Sequence, residues 1–250
     1  MTTALFTHEL GNQQRLFWRS RESAVFTFAL PIVFLGLLGS VYGDREVDGI
    51  DGATFLLAGM LGYGIVATAF AGLAINMVIR RESGVLKRVR GTPLPTSTYL
   101  VALIVSTLVV VGVMAVAQLL LGLAIGAELP SSPGSFALAL LVGTASFSAL
   151  GLAATGLVRS GEGSSAVITA IYLPMTFISG AFFSTETMPA FLQAIADVLP
   201  LTYLLEWIRE SLIEGKGIGS SWTDLVVLLL WGLAGLAIAL RTFRWEPREQ

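Results

Sequence analysis

One stretch decides the fold: residues 52–90, which read GATFLLAGMLGYGIVATAFAGLAINMVIRRESGVLKRVR. Its first part, residues 52–79, contains no charged side chain and exceeds the roughly 20 apolar residues that a helix needs to cross a hydrocarbon core about 30 Å thick. Its second part, residues 80–90, holds five of the fifteen Lys and Arg residues of the chain. An uncharged run of span length that ends in a basic cluster predicts a transmembrane helix whose basic end lies in the cytoplasm.

Five further uncharged runs cover residues 23–43, 91–127, 129–158, 163–185 and 225–240, the last of which Trp222 and Thr223 can extend to span length. Only 13% of the residues are charged, and the mean hydropathy of +0.78 lies outside the usual range for a soluble domain. A large soluble core would need amphipathic helices, whereas these segments are apolar all round. The sequence therefore predicts an all-α polytopic membrane protein, a single transmembrane domain over residues 1–250 with six spans at about 24–42, 53–79, 98–125, 135–158, 164–184 and 222–240.

The distribution of charge predicts the orientation of these spans. With the N-terminus in the cytoplasm and six crossings, twelve of the fifteen cations lie inside, and only Arg45, Arg209 and Lys216 lie outside. This agrees with the positive-inside rule, so we expect a multi-pass protein of the cytoplasmic (inner or plasma) membrane with both termini in the cytoplasm. The predicted inside cations are Arg15, Arg19, Arg21, Arg80, Arg81, Lys87, Arg88, Arg90, Arg159, Arg241, Arg244 and Arg248.

Residues 1–22 precede the first span and form a separate predicted element. Their polar and apolar side chains recur with helical spacing on two different faces, which predicts an amphipathic helix that lies in the membrane interface. The polar face holds His8, Asn12, Arg15 and Arg19, and the apolar face holds Phe6, Leu10 and Phe17.

Residues 187–213 are apolar but are interrupted by Asp197, Pro200 and Glu206. If this segment crossed the membrane, the C-terminal arginines would lie outside, against the positive-inside rule. We therefore expect a re-entrant or interfacial helical hairpin that enters from the outer side and packs on protein; the alternative is an exposed loop on the outer surface. Glu206 and Arg209, at i and i+3, are predicted to pair. The residues singled out in or beside the hairpin are Gly180, Pro189, Pro200, Tyr203, Glu206 and Arg209.

Residues that could do chemistry are almost absent from the predicted spans. Their interiors hold no Asp, Glu, Lys, Arg or His, whereas ion-coupled carriers generally need ionisable groups at membrane depth. Their most polar large side chains, Asn76 and Gln118, are predicted to make interhelical hydrogen bonds. The sequence has no G-x-x-x-x-G-K-[ST] phosphate loop, no cysteine and only one histidine. We therefore expect no enzymatic activity, metal or cofactor in this chain, and the energy for any uphill transport must come from another polypeptide.

Two motifs resemble those of a known family. The segment RRESGVLKRVRGTPLP (residues 80–95) resembles the cytoplasmic loop of type-2 ABC exporter membrane subunits, whose pattern is approximately R-E-x-G-x-L-x-R-x-R-x-T-P-L. The segment LPMTFISGAFFSTETMPAFLQAIADVLPLTYLLEWIRESL (residues 173–212) resembles the C-terminal signature of the same family, with S-G-x-F-F, then x-M-P, then L-P-L-T-Y and E-x-x-R. The resemblance covers essentially the whole chain, although Ser184 stands where many members have proline after the F-F pair.

The resemblance implies that the loop after the second span forms a short coupling helix that docks into a groove on a separate ABC ATP-binding subunit, which would bind the ATP and Mg²⁺. Leu86 and Val89 would form a small apolar face, and Thr92-Pro93 would end the helix. Glu82, the one acid of the cluster, is expected to cap this helix or to pair with a loop arginine. The implied coupling residues, all within the loop at 80–97, are Glu82, Gly84, Leu86, Lys87, Arg88, Val89, Arg90, Thr92 and Pro93.

By the same resemblance, two permease subunits, identical or paralogous, would assemble with two copies of the ATP-binding subunit and no nucleic acid. Their cargo would be hydrophobic or amphipathic, such as a drug, an antibiotic or a lipid-like molecule, in a multidrug-efflux or antibiotic-resistance role; members of the family also export polysaccharides. Two other functions stay open: a non-transporting membrane assembly or immunity component, and a secondary carrier. The second and fifth spans would line the path, with the candidate residues Phe55, Tyr63, Phe70, Asn76, Phe177, Phe182 and Phe183.

Overall fold

The computed structural model describes residues 2–42, 45–158, 160–213 and 221–242; the predicted cations Arg159, Lys216, Arg244 and Arg248 lie outside these ranges. Strands β1 (Glu46–Val47) and β2 (Ile50–Asp51) form an antiparallel hairpin with Glu46 opposite Asp51. A π-helical segment, Val66–Gly72, joins α3 to α4, and a short 3-10 turn covers Thr185–Thr187. The helices are α1 (Thr2–Arg19), α2 (Arg21–Tyr42), α3 (Gly52–Ile65), α4 (Leu73–Glu82), α5 (Val85–Arg90), α6 (Thr96–Ala124), α7 (Pro133–Ala154), α8 (Gly161–Ile178), α9 (Ala190–Ala196), α10 (Pro200–Ile213) and α11 (Trp222–Thr242).

The predicted architecture, an all-helical polytopic membrane protein, is confirmed. Within the described residues, five helical stretches are long and apolar enough to cross a membrane: Ala24–Val41, Gly52–Glu82, Thr96–Ala124, Pro133–Ala154 and Trp222–Thr242. The pair Ala190–Ala196 and Pro200–Leu212, which is bent by 80° at its break, would make a sixth if the two helices formed one span. The same bent pair also fits the predicted re-entrant hairpin, which stays a prediction.

The helix at the predicted fifth span, 164–184, begins and ends at other residues than predicted. Helix α8 is 18 residues long, about 27 Å at 1.5 Å per residue. It is not among the five strongly apolar helices, because its first turn consists of glycine, Glu162 and serines. It ends at Ile178, six residues early, since Gly180 adopts a left-handed conformation with φ +82°. A membrane crossing by α8 therefore stays a prediction.

The second span lies at the centre of the bundle. In the stretch Gly52–Glu82, 83% of the residues of its most apolar window are buried, compared with 17% in α2 and 22% in α11. Helices α2, α6, α7, α8 and α10 all contact this central span, and α7 also packs along α11. Most side chains in the apolar stretches of α2 and α11 are therefore exposed on the surface of this chain, whereas those of the second span form the core.

Glycines allow the close approach of elements around this central span. A Cβ at Gly59 would overlap the carbonyl oxygen of Ala181, and a Cβ at Gly151 would lie 2.7 Å from the carbonyl oxygen of Phe70. Gly122 faces Leu57, while Gly126 sits in a turn with φ +92°. Gly59, Gly122 and Gly151 therefore serve packing within this chain, whereas Gly126 serves the turn.

The N-terminal element is a separate helix, as predicted, but it ends at Arg19 instead of residue 22, and α2 begins at Arg21. The expected polar face, with His8, Asn12, Arg15 and Arg19, is exposed. Helix α1 packs on α6, where the amide of Gln14 donates to the backbone oxygen and the hydroxyl of Ser106 at 2.8 and 2.9 Å. Its position in a membrane interface stays a prediction.

Candidate coupling and cargo-path regions

The loop after the second span contains a short helix, α5, whose boundaries follow from local chemistry. Helix α4 ends at Glu82, and the Ser83 hydroxyl donates to the Ile79 carbonyl at 2.9 Å. Gly84 then turns the chain with φ +71°, a conformation that favours glycine. After α5, the Thr92 hydroxyl donates to the Val89 carbonyl at 2.6 Å. The residues of the predicted coupling motif thus build two turns around one six-residue helix.

Helix α5 presents two different faces. Leu86 is fully buried and packs in a cluster with Met77, Tyr99 and Leu103, and Val89 is partly buried against the same cluster. The expected apolar face therefore points into this chain and anchors α5. The opposite, exposed face carries the cations Lys87, Arg88 and Arg90.

Glu82 does not cap α5. Gly84 is the residue before the first turn of α5, and no side chain accepts a hydrogen bond from that turn. The carboxylate of Glu82 instead lies against the first turn of α8, because a Cβ at Gly161 would be 2.6 Å from its Oε2 atom. The expectation of a cap is wrong, because the left-handed Gly84 turns α5 away from Glu82. A carboxylate beside a helix N-terminus is nevertheless favourable, here for α8.

The first two cations of the loop, Arg80 and Arg81, are held by hydrogen bonds within the protein. Arg81 is only 3% exposed, and it donates to the carbonyl oxygens of Thr155 and Val158, just past the end of α7, at 3.1 and 2.8 Å. Cations are stabilised at helix C-termini, where carbonyl groups lack helical partners. The sequence analysis treated all five cations of the loop alike. Arg80 and Arg81 differ from the other three because they lie in the last turn of the second span, and this position is the signal that could have distinguished them.

Hydrogen bonds connect the N-terminal helix to this region. Nη1 of Arg80 donates to Oε1 of Gln13 at 2.7 Å and to the hydroxyl of Tyr99 at 3.1 Å. The amide of Gln13 in turn donates to the carboxylate of Glu9 at 2.5 Å. Because Tyr99 also packs in the cluster with Leu86, α1, α4, α5 and α6 meet at one junction.

The aromatic candidates for the cargo path fall into two groups. Phe55 and Phe70 are buried within the chain, at 1% and 6% exposure. Tyr63 lies 6.0 Å from Phe182, measured between ring centroids, and Phe182 lies 5.0 Å from Phe177. The second group continues to Phe183, 6.5 Å from Phe182, and Phe177 and Phe183 are exposed at 44% and 57%. This second group, Tyr63, Phe177, Phe182 and Phe183, is called the aromatic patch below.

The two polar candidates within the spans behave differently from expectation. Nδ2 of Asn76 donates to the Gly72 carbonyl of its own helix at 2.8 Å, so the expected interhelical bond is not formed. Gln118 is fully buried near Gly64, and neither of its amide atoms has a hydrogen-bond partner. A polar side chain can donate to the backbone carbonyl four residues earlier in its own helix. Sequence alone cannot distinguish this local hydrogen bond from one between two helices.

The bent pair α9–α10 is packed on protein. The hydroxyls of Thr202 and Tyr203 donate to the carbonyls of Ala196 and Asp197 at 2.7 and 2.6 Å and fix the bend after α9. Trp207 is fully buried, and its indole N–H donates to Ser135 of α7 at 2.9 Å. Pro189 and Pro200 precede and begin the two helices, so the prolines do not interrupt their hydrogen bonds.

Arg209 of α10 has a partner that the sequence did not predict. Its Nη2 donates to the Gly180 carbonyl at 2.5 Å, and its guanidinium carbon lies 4.0 Å from the centroid of the Phe55 ring. Among the described residues no hydrogen bond or close ion pair joins it to Glu206, which is exposed. The predicted i, i+3 pair is therefore not a direct ion pair, because the guanidinium points toward α3 and the turn after α8. The charge of Glu206 still acts favourably on Arg209.

The sequence is similar to membrane transport proteins along most of its length. A family model described as ABC-2 type transporter matches residues 6–213. The chain is 22% identical to the inner membrane transport permease YadH of Escherichia coli K12, over 82% of this chain and 80% of YadH. It is 29% identical to nodulation protein J of Rhizobium leguminosarum bv. viciae, over 84% of this chain and 82% of that protein.

Proposed function

This chain belongs to the ABC-2 type transporter family of membrane permeases, and we propose that it is the permease subunit of an ATP-driven exporter. Its cargo would be a hydrophobic or amphipathic molecule that leaves across the cytoplasmic membrane. Two copies, or one copy with a paralogue, would assemble with two ATP-binding subunits. ATP and Mg²⁺ would be held by those subunits and not by this chain.

The observation that supports this proposal is the two-faced helix α5. Leu86 fixes the helix to the bundle, while Lys87, Arg88 and Arg90 project from it. Membership of the ABC-2 family implies partnership with an ABC ATP-binding subunit, and a rigidly anchored, basic helix suits docking to acidic groups on such a partner. Because α5 shares a cluster with Met77 and Tyr99, a displacement of α5 would move the second span.

The proposed cargo class rests on the aromatic patch. Phe177 and Phe183 are large apolar side chains exposed on the surface of this chain beside the central span. Aromatic surface of this kind binds apolar or amphipathic molecules without demanding specific hydrogen bonds. Phe55 and Phe70 would join the path only if the second span moved, since both are buried in this conformation.

The test is ATP-dependent uptake into inverted membrane vesicles that contain this chain alone or together with a candidate ABC ATPase, sought first among the neighbouring genes. We expect accumulation of an amphipathic dye only when both proteins and hydrolysable ATP are present. Uptake driven by a proton gradient without the ATPase would favour a secondary carrier. Absence of uptake, together with absence of a copurifying ATPase, would favour a non-transporting component.

A further inference from the structure

A cavity of about 310 Å³ lies between α1, α2, the second span and α6. Its volume is at the lower end of the range of about 300–1,000 Å³ found for small-molecule sites. Among the candidate residues predicted from sequence, Asn76 lines it, whereas the aromatic patch does not. The cavity is thus separate from the aromatic patch, on which the proposed cargo class rests.

The wall of the cavity carries a charge at one end only and has apolar side chains along its length. On the second span it extends from Arg80 at the basic end to Thr68, a distance of about 18 Å at 1.5 Å per residue. Arg80, Gln13 and Asn76 give polar character to the first part. The rest of the lining combines apolar side chains, among them Phe17, Phe26, Ile75 and Val110, with hydroxyl groups such as those of Thr68 and Thr107. A ligand that fits this wall has a polar head and an apolar tail.

Arg80 gives the polar part of the cavity a defined chemistry. Both hydrogen bonds of Arg80, to Gln13 and Tyr99, use its Nη1 atom. Gln13 and Tyr99 are themselves buried, at 4% and 2% exposure, so they hold the guanidinium in place. Among the described residues, Nε and Nη2 of Arg80 have no hydrogen-bond partner. These two N–H groups form the edge of a guanidinium that matches two oxygens of a phosphate.

The apolar part of the cavity can be reached from the hydrocarbon region. One side of the cavity is formed by Phe26 of α2, which is 65% exposed, and α2 as a whole is little buried. The other side is formed by Leu16 and Phe17 of α1, a helix expected to lie in the interface. An acyl chain could therefore enter sideways from the bilayer while its headgroup stays at the basic end of the second span.

We propose that this cavity binds one anionic phospholipid, with its phosphate on Arg80 and part of an acyl chain along Phe26, Ile75 and Val110. Basic pockets between transmembrane helices are suited to anionic headgroups. The bound lipid would stabilise the junction of α1, α4 and α6 through the Gln13–Arg80–Tyr99 hydrogen bonds. Because Tyr99 packs in the cluster with Leu86, the lipid would also hold the base of α5.

Native mass spectrometry of the purified chain tests this site without the ATPase and without transport, so the result does not depend on the proposed export function. The chain in detergent is titrated with phosphatidylglycerol or phosphatidylcholine that carry the same acyl chains. We expect one phosphatidylglycerol to bind at least about tenfold more tightly than phosphatidylcholine, because the choline ammonium of phosphatidylcholine offsets the charge of its phosphate and repels Arg80, whereas phosphatidylglycerol keeps its net negative charge. Arg80→Gln should reduce the affinity for phosphatidylglycerol to that for phosphatidylcholine. Arg88→Gln, which removes an exposed cation of the same loop, should leave it unchanged.

Two further arms identify the ligand and guard against misfolding. Val110→Trp fills the apolar part and should weaken both lipids while Arg80 is intact. Inorganic phosphate at millimolar concentration should not displace the lipid, because it lacks the acyl chain. The proposal is overturned if the wild-type chain does not prefer phosphatidylglycerol, if Arg88→Gln weakens binding as much as Arg80→Gln, or if phosphate alone competes. If Arg80→Gln does not fold, the proposal is still overturned if Val110→Trp binds phosphatidylglycerol as tightly as the wild-type chain does.

Discussion

At the scale of single residues, three buried or partly buried arginines donate to carbonyl or amide oxygens: Arg80 to Gln13, Arg81 to Thr155 and Val158, and Arg209 to Gly180. Carbonyl dipoles stabilise a guanidinium where water is scarce, and Arg offers several donors for them. The sequence predicted a carboxylate partner for Arg209, because spacing along the chain reveals only neighbours on the same helix, such as Glu206. The carbonyls lie 29 to 77 residues away along the chain, so this part of the site could not be predicted.

The first prediction concerns Arg209. Arg209→Lys keeps the charge but cannot reproduce both the bond to Gly180 and the planar contact with Phe55, so it should lower the thermal unfolding midpoint of the detergent-solubilised chain. The expected loss is about 1.5–3 kcal/mol for a hydrogen bond to a charged group. Glu206→Ala, at an exposed position, is the control and should have little effect. If the charge-swapped double variant Glu206→Arg/Arg209→Glu is more stable than Arg209→Lys, the pair with Glu206 is real after all.

The second prediction concerns Glu82 at the end of α4, whose carboxylate lies against the first turn of α8. Glu82→Ala should insert in the membrane and still bind the ATPase subunit. It should nevertheless lose most of the transport and of the cargo-stimulated ATP hydrolysis, because the two spans would no longer move together. Glu162→Ala removes a neighbouring exposed carboxylate of α8 and serves as the control. Transport at the wild-type rate by purified Glu82→Ala complex would exclude the coupling role.

At the scale of elements, the uncharged runs predicted the long helices well, because a hydrocarbon environment demands uninterrupted apolar helices. The π-helical segment Val66–Gly72 and the left-handed Gly180 were not predicted, since both depend on which neighbour packs there. Gly151 places its backbone against the carbonyls of Ala69 and Phe70, within the π-helical segment. Such contacts join distant parts of the sequence, and hydrophobic periodicity carries no information about them.

The third prediction tests the packing of the second span against the turn after α8. Gly59→Ala would place a Cβ on the carbonyl oxygen of Ala181, and backbone atoms cannot move aside cheaply. We expect destabilisation by about 1–3 kcal/mol, typical of overpacking, measured as a lower thermal midpoint. Gly112→Ala on α6 has nothing within 4 Å and should be neutral or stabilising, as expected for alanine in a helix. Equal midpoints for the two variants would contradict this close contact.

The fourth prediction concerns the bent pair α9–α10. Single cysteines are introduced at Ser83, Glu186 and Thr223, three exposed positions in a chain that has no cysteine of its own. An impermeant thiol reagent added to intact cells should label positions 186 and 223 and spare position 83. Labelling of 186 without 223 would mean that α9–α10 cross the membrane as one broken span. Labelling of position 83 would contradict the cytoplasmic placement of α5.

At the scale of the whole molecule, the second span joins every region discussed. Its N-terminal half contacts Arg209 and the turn after α8, and its basic end contributes Arg80 and Arg81 to the junction with α1, α6 and α7. It is also the most buried span. A force applied to α5 would therefore reach the aromatic patch through one continuous, well-packed helix instead of through flexible loops. This arrangement fits a permease that is driven from outside its own chain.

The most direct test of this account measures how ATPase binding depends on salt concentration. The wild-type chain is compared with a neutral variant, Lys87→Gln/Arg88→Gln/Arg90→Gln. A control variant, Lys87→Arg/Arg88→Lys/Arg90→Lys, keeps the charge. Surface charges are screened beyond about 8 Å at physiological salt, so weaker steering should be most evident at low ionic strength. We predict that the wild-type and control chains copurify with the ATPase and support ATP-dependent transport, whereas the neutral variant loses both. Undiminished binding and transport by the neutral variant would contradict the account.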